Sequence, residues 1–262
     1  GQSVTMRKGC YVGVLPVWER LKSGNPDVIV GGLDGGIDYD HEDLKGNLWV
    51  NPENNVHGEN LGYNFFDHEY LIVKDKHGTH VAGTIGAVNN NGKGVCGIAG
   101  GDRGHGIKGV KLMSCQIVKP NVSGSGNGAE AIKWACDHGA VIVQNSWSYE
   151  STAYMPEHTR AAIDYFNENA GKDADGRQVG PMAGGVVFFS AGNKGTDIVY
   201  PGAYEGCVAV AAVGPDYTRP SYSNYGDWVD LAAPGGISNS RGGILSTILD
   251  NQYGYLAGTS MA

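Results

Sequence analysis

No run of apolar residues in this 262-residue chain is long enough to cross a bilayer, and no cluster of Lys or Arg marks a polyanion-binding face. The net charge is −8, which disfavours nucleic acid and acidic membrane as partners. There is no C-x-x-C pair, so the five cysteines, Cys10, Cys96, Cys115, Cys136 and Cys207, lack the spacing of a redox or zinc motif. Cys96, Cys115 and Cys207 stand among small or apolar neighbours, and the expectation is buried free thiols. Neither an internal repeat nor a linker interrupts the chain, and residues 1–262 read as one domain. Glycine is plentiful, with 43 residues, but has no fixed period. That excludes a collagen-like repeat and predicts many tight turns and close backbone approaches.

What is present is a globular composition, 41% apolar and 18% charged. Short β-branched runs recur at 27–34, 109–118, 139–146, 184–192, 207–214 and 227–235. They are nearly continuous in apolar residues, the pattern of strands buried on both faces. Helical periodicity lies between them. Residues 77–88 place Val81, Ile85 and Val88 on one side, and residues 126–139 place Ile132 and Cys136 together, with Gly139 as a stop. A third helix is expected from Glu157, with Ala162, Ile163 and Phe166 inward. The stretch 51–76 reads as an irregular excursion with a hairpin, and 170–181 as a polar loop. Strand–helix alternation predicts an α/β fold, a mostly parallel central sheet flanked by helices.

Function in such sheets gathers at the carboxyl ends of the strands. Asp34 ends the first run, Asn145-Ser146-Trp147-Ser148 ends the run from 139, and Ser190-Ala191-Gly192-Asn193 ends the run from 184. His77 opens "HGTHVAG" at an expected helix start, and Ser260 lies in "GTSMA". Each alone has an ordinary explanation: a turn Asp, a loop His, a capping Ser, an Asn in a "GN" turn. His77 and His80 are three apart, but no third ligand or H-E-x-x-H pattern accompanies them, so a zinc site is not expected. "GHGIKG" at 104–109 satisfies G-x-G-x-x-G but precedes a strand, so it reads as a loop. Taken together, Asp34, His77 and Ser260 stand in the chain order Asp, His, Ser, and the G-x-S-x-G elbow of the α/β-hydrolases is absent.

The motifs "VIVGGLDGGIDYDHEDL", "HGTHVAGTI", "SAGN" and "GTSMA", in this order, resemble those of the subtilisin-like serine peptidases, the subtilases. The resemblance covers the whole chain. It implies a three-layer subtilisin-like fold and a serine endopeptidase with Asp34, His77 and Ser260 as catalytic triad. Asn193 would be the side-chain donor to the oxyanion. Peptide or protein substrate would lie against Gly124, Ser125 and Gly126 on one side and Ser146, Trp147, Ser148 and Gly192 on the other. No cofactor is implied for catalysis. A structural Ca²⁺ is implied near Asp43, with Asn90 and Gln2 as further oxygen ligands, although the loop 88–95 is one residue longer than the common form. Relatives place the Ser at the start of a buried helix, so the resemblance also implies a C-terminal part beyond the residues given. It further implies a pro-segment encoded upstream and an extracellular, cell-surface or periplasmic location. Two alternatives stay open: a non-catalytic peptide-binding remnant of the same fold, and an acyl-transfer relative acting as a peptide ligase or cyclase.

Overall fold

The computed structural model of the chain describes residues 7–9, 11–149 and 154–262. In chain order, the helices are α1 (Val14–Arg20), α2 (Lys76–Gly86), α3 (Gly128–Asp137) and α4 (Glu157–Asn169). The strands are β1 (Ile29–Asp34), β2 (Gly62–Asn64), β3 (Gly101–Asp102), β4 (Ile107–Lys108), β5 (Lys111–Gln116), β6 (Ile142–Asn145), β7 (Val186–Ser190), β8 (Val208–Val213), β9 (Leu231–Pro234), β10 (Ile244–Ile248) and β11 (Gln252–Leu256).

Seven strands form one sheet in the order β2-β5-β1-β6-β7-β8-β9, and every pairing in it is parallel. The apolar runs form strands because alternate side chains enter two separate cores. Leu33, Met113, Cys115, Val143, Val187 and Phe189 point to one face, where α3 and α4 cover them with Ile132, Ala135, Ile163 and Phe166. Val30, Val110 and Leu112 point to the other, where Ala82 of α2 and Leu44, Leu48 and Leu61 from the preceding loops meet them. The result is a helix–sheet–helix sandwich, as expected. Gly139 adopts φ +90° just past α3 and ends it.

Three expectations need correction. Residues 227–235 do not form a strand buried on both faces: β9 is the sheet edge, and Leu231 is 55% exposed. An edge strand lacks a neighbour on one side, so its apolar composition alone misplaces it. Val88 lies beyond the end of α2 at Gly86. Cys96 is exposed, whereas Cys115, Cys136 and Cys207 are buried free thiols, and Cys10 lies outside the described residues. The segment 104–109 is part of a short hairpin, in which a 3₁₀ turn at Arg103–His105 joins the two-residue strands β3 and β4. The excursion 51–76 contains β2 and an antiparallel bridge between Asn64 and Glu69.

The chain reverses its direction of strand addition around β1: β5 lies on one side of it and β6 on the other. The carboxyl end of β1 is therefore the topological switch point of the sheet, where a crevice opens. Asp34 is the last residue of that strand. Beyond the sheet, the β10–β11 hairpin packs on α2: Thr247 Oγ1 donates to Thr79 O at 2.8 Å and Ser246 Oγ to His80 O at 2.7 Å. This hairpin leads directly into "GTSMA" and aims it at the same edge.

Candidate active site

Asp34 is buried, a costly place for a carboxylate without partners. It has two. Gly35 N–H donates to Oδ1 at 2.6 Å, and His77 Nδ1 lies 2.8 Å from Oδ1 and 2.9 Å from Oδ2. A carboxylate can only accept, so the ring proton of His77 sits on Nδ1, and Nε2 is left as the basic nitrogen. The side chain of Asp34 is 6% exposed and that of His77 40%, so the pair has a sealed end and an open end.

The start of α2 holds the ring there. Asp75 caps the helix, its Oδ1 accepting from His77 N at 2.8 Å and Gly78 N at 3.1 Å. Asp75 N donates to Gly36 O at 2.7 Å, which ties the cap to the turn after β1. Any Cβ at residue 78 would collide with the carbonyl oxygen of Gly35, so glycine alone permits this approach of helix to strand end. Burial pushes the His77 pKa down. The charge and hydrogen bond of Asp34, with the charge of Asp75, outweigh it, and the imidazole titrates above its ordinary value. His80, on the same helix, faces away from this pair. Its Nε2 donates to Ile244 O at 2.9 Å and Gly254 O at 3.2 Å, and burial lowers its pKa. The two imidazoles thus serve different neighbours.

Ser260 and Asn193 arrive from the opposite side. Asn193 follows β7, and its Oδ1 accepts from Thr259 N and Thr259 Oγ1, both at 2.9 Å. A backbone N–H can only donate, so the oxygen of this amide is pinned inward and Nδ2 is left free to donate. Thr259 Oγ1 also accepts from Gly192 N at 3.0 Å. Ser260 is buried, and its carbonyl accepts from Ser146 Oγ at 3.3 Å, while Ser146 Oγ accepts from Gln144 Nε2 at 2.5 Å. Gly258, Thr259 and Ser260 lie in a bend and turn, closed by Met261 N donating to Gly258 O at 3.1 Å. Among the described residues no hydrogen bond joins His77 to Ser260.

The remaining expected residues flank this crevice. Gly124 and Ser125 are exposed, and Gly126 N donates to Ile117 O at 2.6 Å, which fixes that segment beside the end of β5. Ser148 is exposed. Trp147 turns its ring inward: it packs edge-on against Phe189 at 5.1 Å, and Nε1 donates to Asn145 Oδ1 at 3.0 Å. Its side chain therefore supports the wall. The structure brings Asp34 and His77 into contact, and Gly192 and Asn193 onto Thr259. Sequence reasoning did not single out Asp75 or Thr259. An acid two residues before His77 at an expected helix start is a capping signal that would have found Asp75. No local signal marks Thr259, whose partner is 66 residues away.

Of the expected calcium ligands, Asp43 and Asn90 do not meet. Asp43 Oδ1 accepts from Asn91 Nδ2 at 2.6 Å and Oδ2 from Val95 N at 3.0 Å. Asn90 turns its amide to Asp102 at 2.9 Å, and Gln2 lies outside the described residues. The loop 88–95 thus presents Asn91, one residue later than expected, and presents it as a donor. Donors around a carboxylate are not an oxygen cage, so Asp43, Asn90 and Asn91 as arranged do not fit Ca²⁺. Among the described residues, no group of three or more His, Cys, Asp or Glu could hold a metal ion.

The family profile described as "Subtilase family" matches residues 25–262. The chain belongs to the subtilases. It is 34% identical over 249 residues to the thermophilic serine proteinase of Bacillus sp. (strain AK1), covering 94% of this chain and 51% of that protein. It is 30% identical to thermitase of Thermoactinomyces vulgaris, covering 94% of this chain and 73% of the relative. Among solved structures, a protease of Pseudoalteromonas arctica PAMC 21717 superposes with TM-score 0.70 at 28% identity, covering 97% of this chain and 78% of that one. The chain spans about half the length of the first of these relatives. Its parallel sheet and flanking helices are the subtilase architecture.

Proposed function

We propose that this protein is a serine endopeptidase that cleaves peptide bonds through Ser260, His77 and Asp34. The observation that carries the reading is the buried Asp34 carboxylate on His77 Nδ1, which leaves Nε2 as a base at the open end of the pair. In this reading Ser260 Oγ attacks the scissile carbonyl as His77 Nε2 removes its proton. The carbonyl oxygen becomes an oxyanion and accepts from Asn193 Nδ2 and the Ser260 N–H. Asp34 stays ionised and stabilises the imidazolium. His77 then returns the proton to the leaving amine, and the C–N bond breaks to leave an acyl-enzyme. Water repeats the sequence, releasing the acid and regenerating Ser260. An extended substrate would pair with the backbones of Gly124–Gly126 and Ser146–Ser148, with Gly192 bordering the pocket. A pro-segment and an extracellular place of action belong to the same reading. Among the described residues no helix is long and apolar enough to cross a membrane.

The test is labelling with a fluorophosphonate probe, read by intact mass and peptide mapping, beside turnover of a peptide library. One adduct on Ser260, absent in Ser260→Ala and His77→Ala, is the expected result. Binding of peptides without adduct or cleavage would overturn the reading and leave a peptide-binding protein. Cleavage in which an added peptide amine outcompetes water would identify an acyl-transfer enzyme instead.

A further inference from the structure

The loop that carries Asn193 rests on one buried amide. Asn224 lies between β8 and β9 in "SYSNYG" and is completely buried. Its Nδ2 donates to Ala191 O at 2.8 Å. Its Oδ1 accepts from Lys194 N at 3.0 Å, Thr196 N at 3.1 Å and Thr196 Oγ1 at 3.4 Å. Its own N–H donates to Gly192 O at 3.0 Å. The neighbours of Asn224 extend the bed: Gly195 N donates to Tyr222 O at 2.7 Å and Tyr225 N to Thr196 O at 3.2 Å. Ser223 Oγ, accepting from Ala212 N at 3.0 Å, ties the bed to β8.

These bonds grip residues 191, 192, 194, 195 and 196, and pass over 193. Asn193 is held from the other side, by Thr259. Gly192 adopts φ +100°, and a Cβ there would stand 2.5 Å from Asn224 Nδ2, so loop and amide are fitted to each other. Mere satisfaction of a buried polar group would need any partners in reach. Here the donor end of one amide takes the flank before Asn193, and the acceptor end takes the flank after it. A donor that serves a developing charge must be placed within about 0.5 Å, and rigid support from a neighbouring shell is what provides that.

We propose that Asn224 is a positioning residue for the reaction. It sets Asn193 Nδ2 where negative charge develops, acting through the backbone of residues 191–196 and without touching substrate. This rests on the peptidase reading above. Asp in place of Asn224 keeps the acceptor for Lys194 and Thr196 but turns an oxygen toward the Ala191 carbonyl, so the flank before Asn193 is repelled.

The experiment is a double-variant cycle of Asn193→Ala and Asn224→Asp on peptide substrates. Asn224→Asp should lower kcat about 10-fold, less than the about 10²–10³-fold loss measured when subtilisin's own Asn donor is removed. KM should stay within about 2-fold, because the donor acts on the transition state. Affinity for a peptide aldehyde, whose adduct carries the oxyanion, should fall with kcat, while product-peptide affinity stays unchanged. In the Asn193→Ala background, Asn224→Asp should add no further loss. Losses that multiply in the double variant, or a rise in KM in place of a fall in kcat, would overturn the inference alone. An unchanged kcat in Asn193→Ala would overturn the oxyanion reading and this inference with it. Asn224→Ser, smaller and uncharged, carries the same comparison should the Asp variant not fold.

Discussion

At the scale of single residues, protonation of His77 Nε2 governs the pH behaviour of the proposed reaction. Asp34 from β1 and Asp75 from the helix cap raise the imidazole's pKa against the effect of burial. A protonated His77 cannot accept the Ser260 proton. Activity should therefore be lost as pH falls through a value above the ordinary His pKa of about 6.5. Asp34→Asn removes the charge that raises it, so the acid limb of kcat/KM should move to lower pH. Turnover should fall by about 10⁴-fold, the loss that replacement causes in the trypsin triad. A pH–rate profile of both proteins checks the shift, and an acid limb at the same pH in both would mean that another group governs it.

At the scale of elements, α2 joins the strand end to the hairpin that leads to Ser260. Its first turn depends on Asp75, which satisfies two of the N–H groups that a helix start leaves unpaired. Asp75→Ala should lower stability by about 1 kcal/mol, and Asp75→Asn by much less, since Asn caps as well as Asp. Denaturant unfolding of the three proteins measures this. Equal losses in the Ala and Asn variants would mean that charge, and not capping, is what Asp75 contributes. The same element is buried against β10–β11 through His80, whose pKa burial lowers against the opposing effect of its two carbonyl acceptors.

At the scale of the whole molecule, the core between the sheet and α3 and α4 sorts the cysteines. Burial drives the Cys115 and Cys207 thiols far above their ordinary pKa, and burial with the nearby Asp137 charge takes Cys136 up to about 11. Thiolate is the reactive form, so alkylation of the native protein should label Cys96 and spare these three until denaturant is added. Peptide mapping after iodoacetamide reads the order. Rapid native labelling of Cys115 or Cys207 would show that the sheet opens between β1, β5 and α3, or beside β8, far more often than a packed core allows.

The sequence by itself determined the layer architecture, the polar strand ends and the four motif residues, because burial periodicity and short motifs are local properties. Asp34, His77, Asn193 and Ser260 were legible as types in an order. Only the tertiary structure decided what each of them meets. Asp34 turns both oxygens to His77 because α2 can approach the strand end at Gly78. The Asn193 amide is oriented by Thr259 and its loop bedded on Asn224, across separations of 66 and about 30 residues. The same long-range packing placed β9 at an edge, exposed Cys96 and set Asn91, not Asn90, against Asp43. Each depends on which segments fold onto one another, and a hydrogen bond between distant loops leaves no period or spacing in the chain for a reader to find.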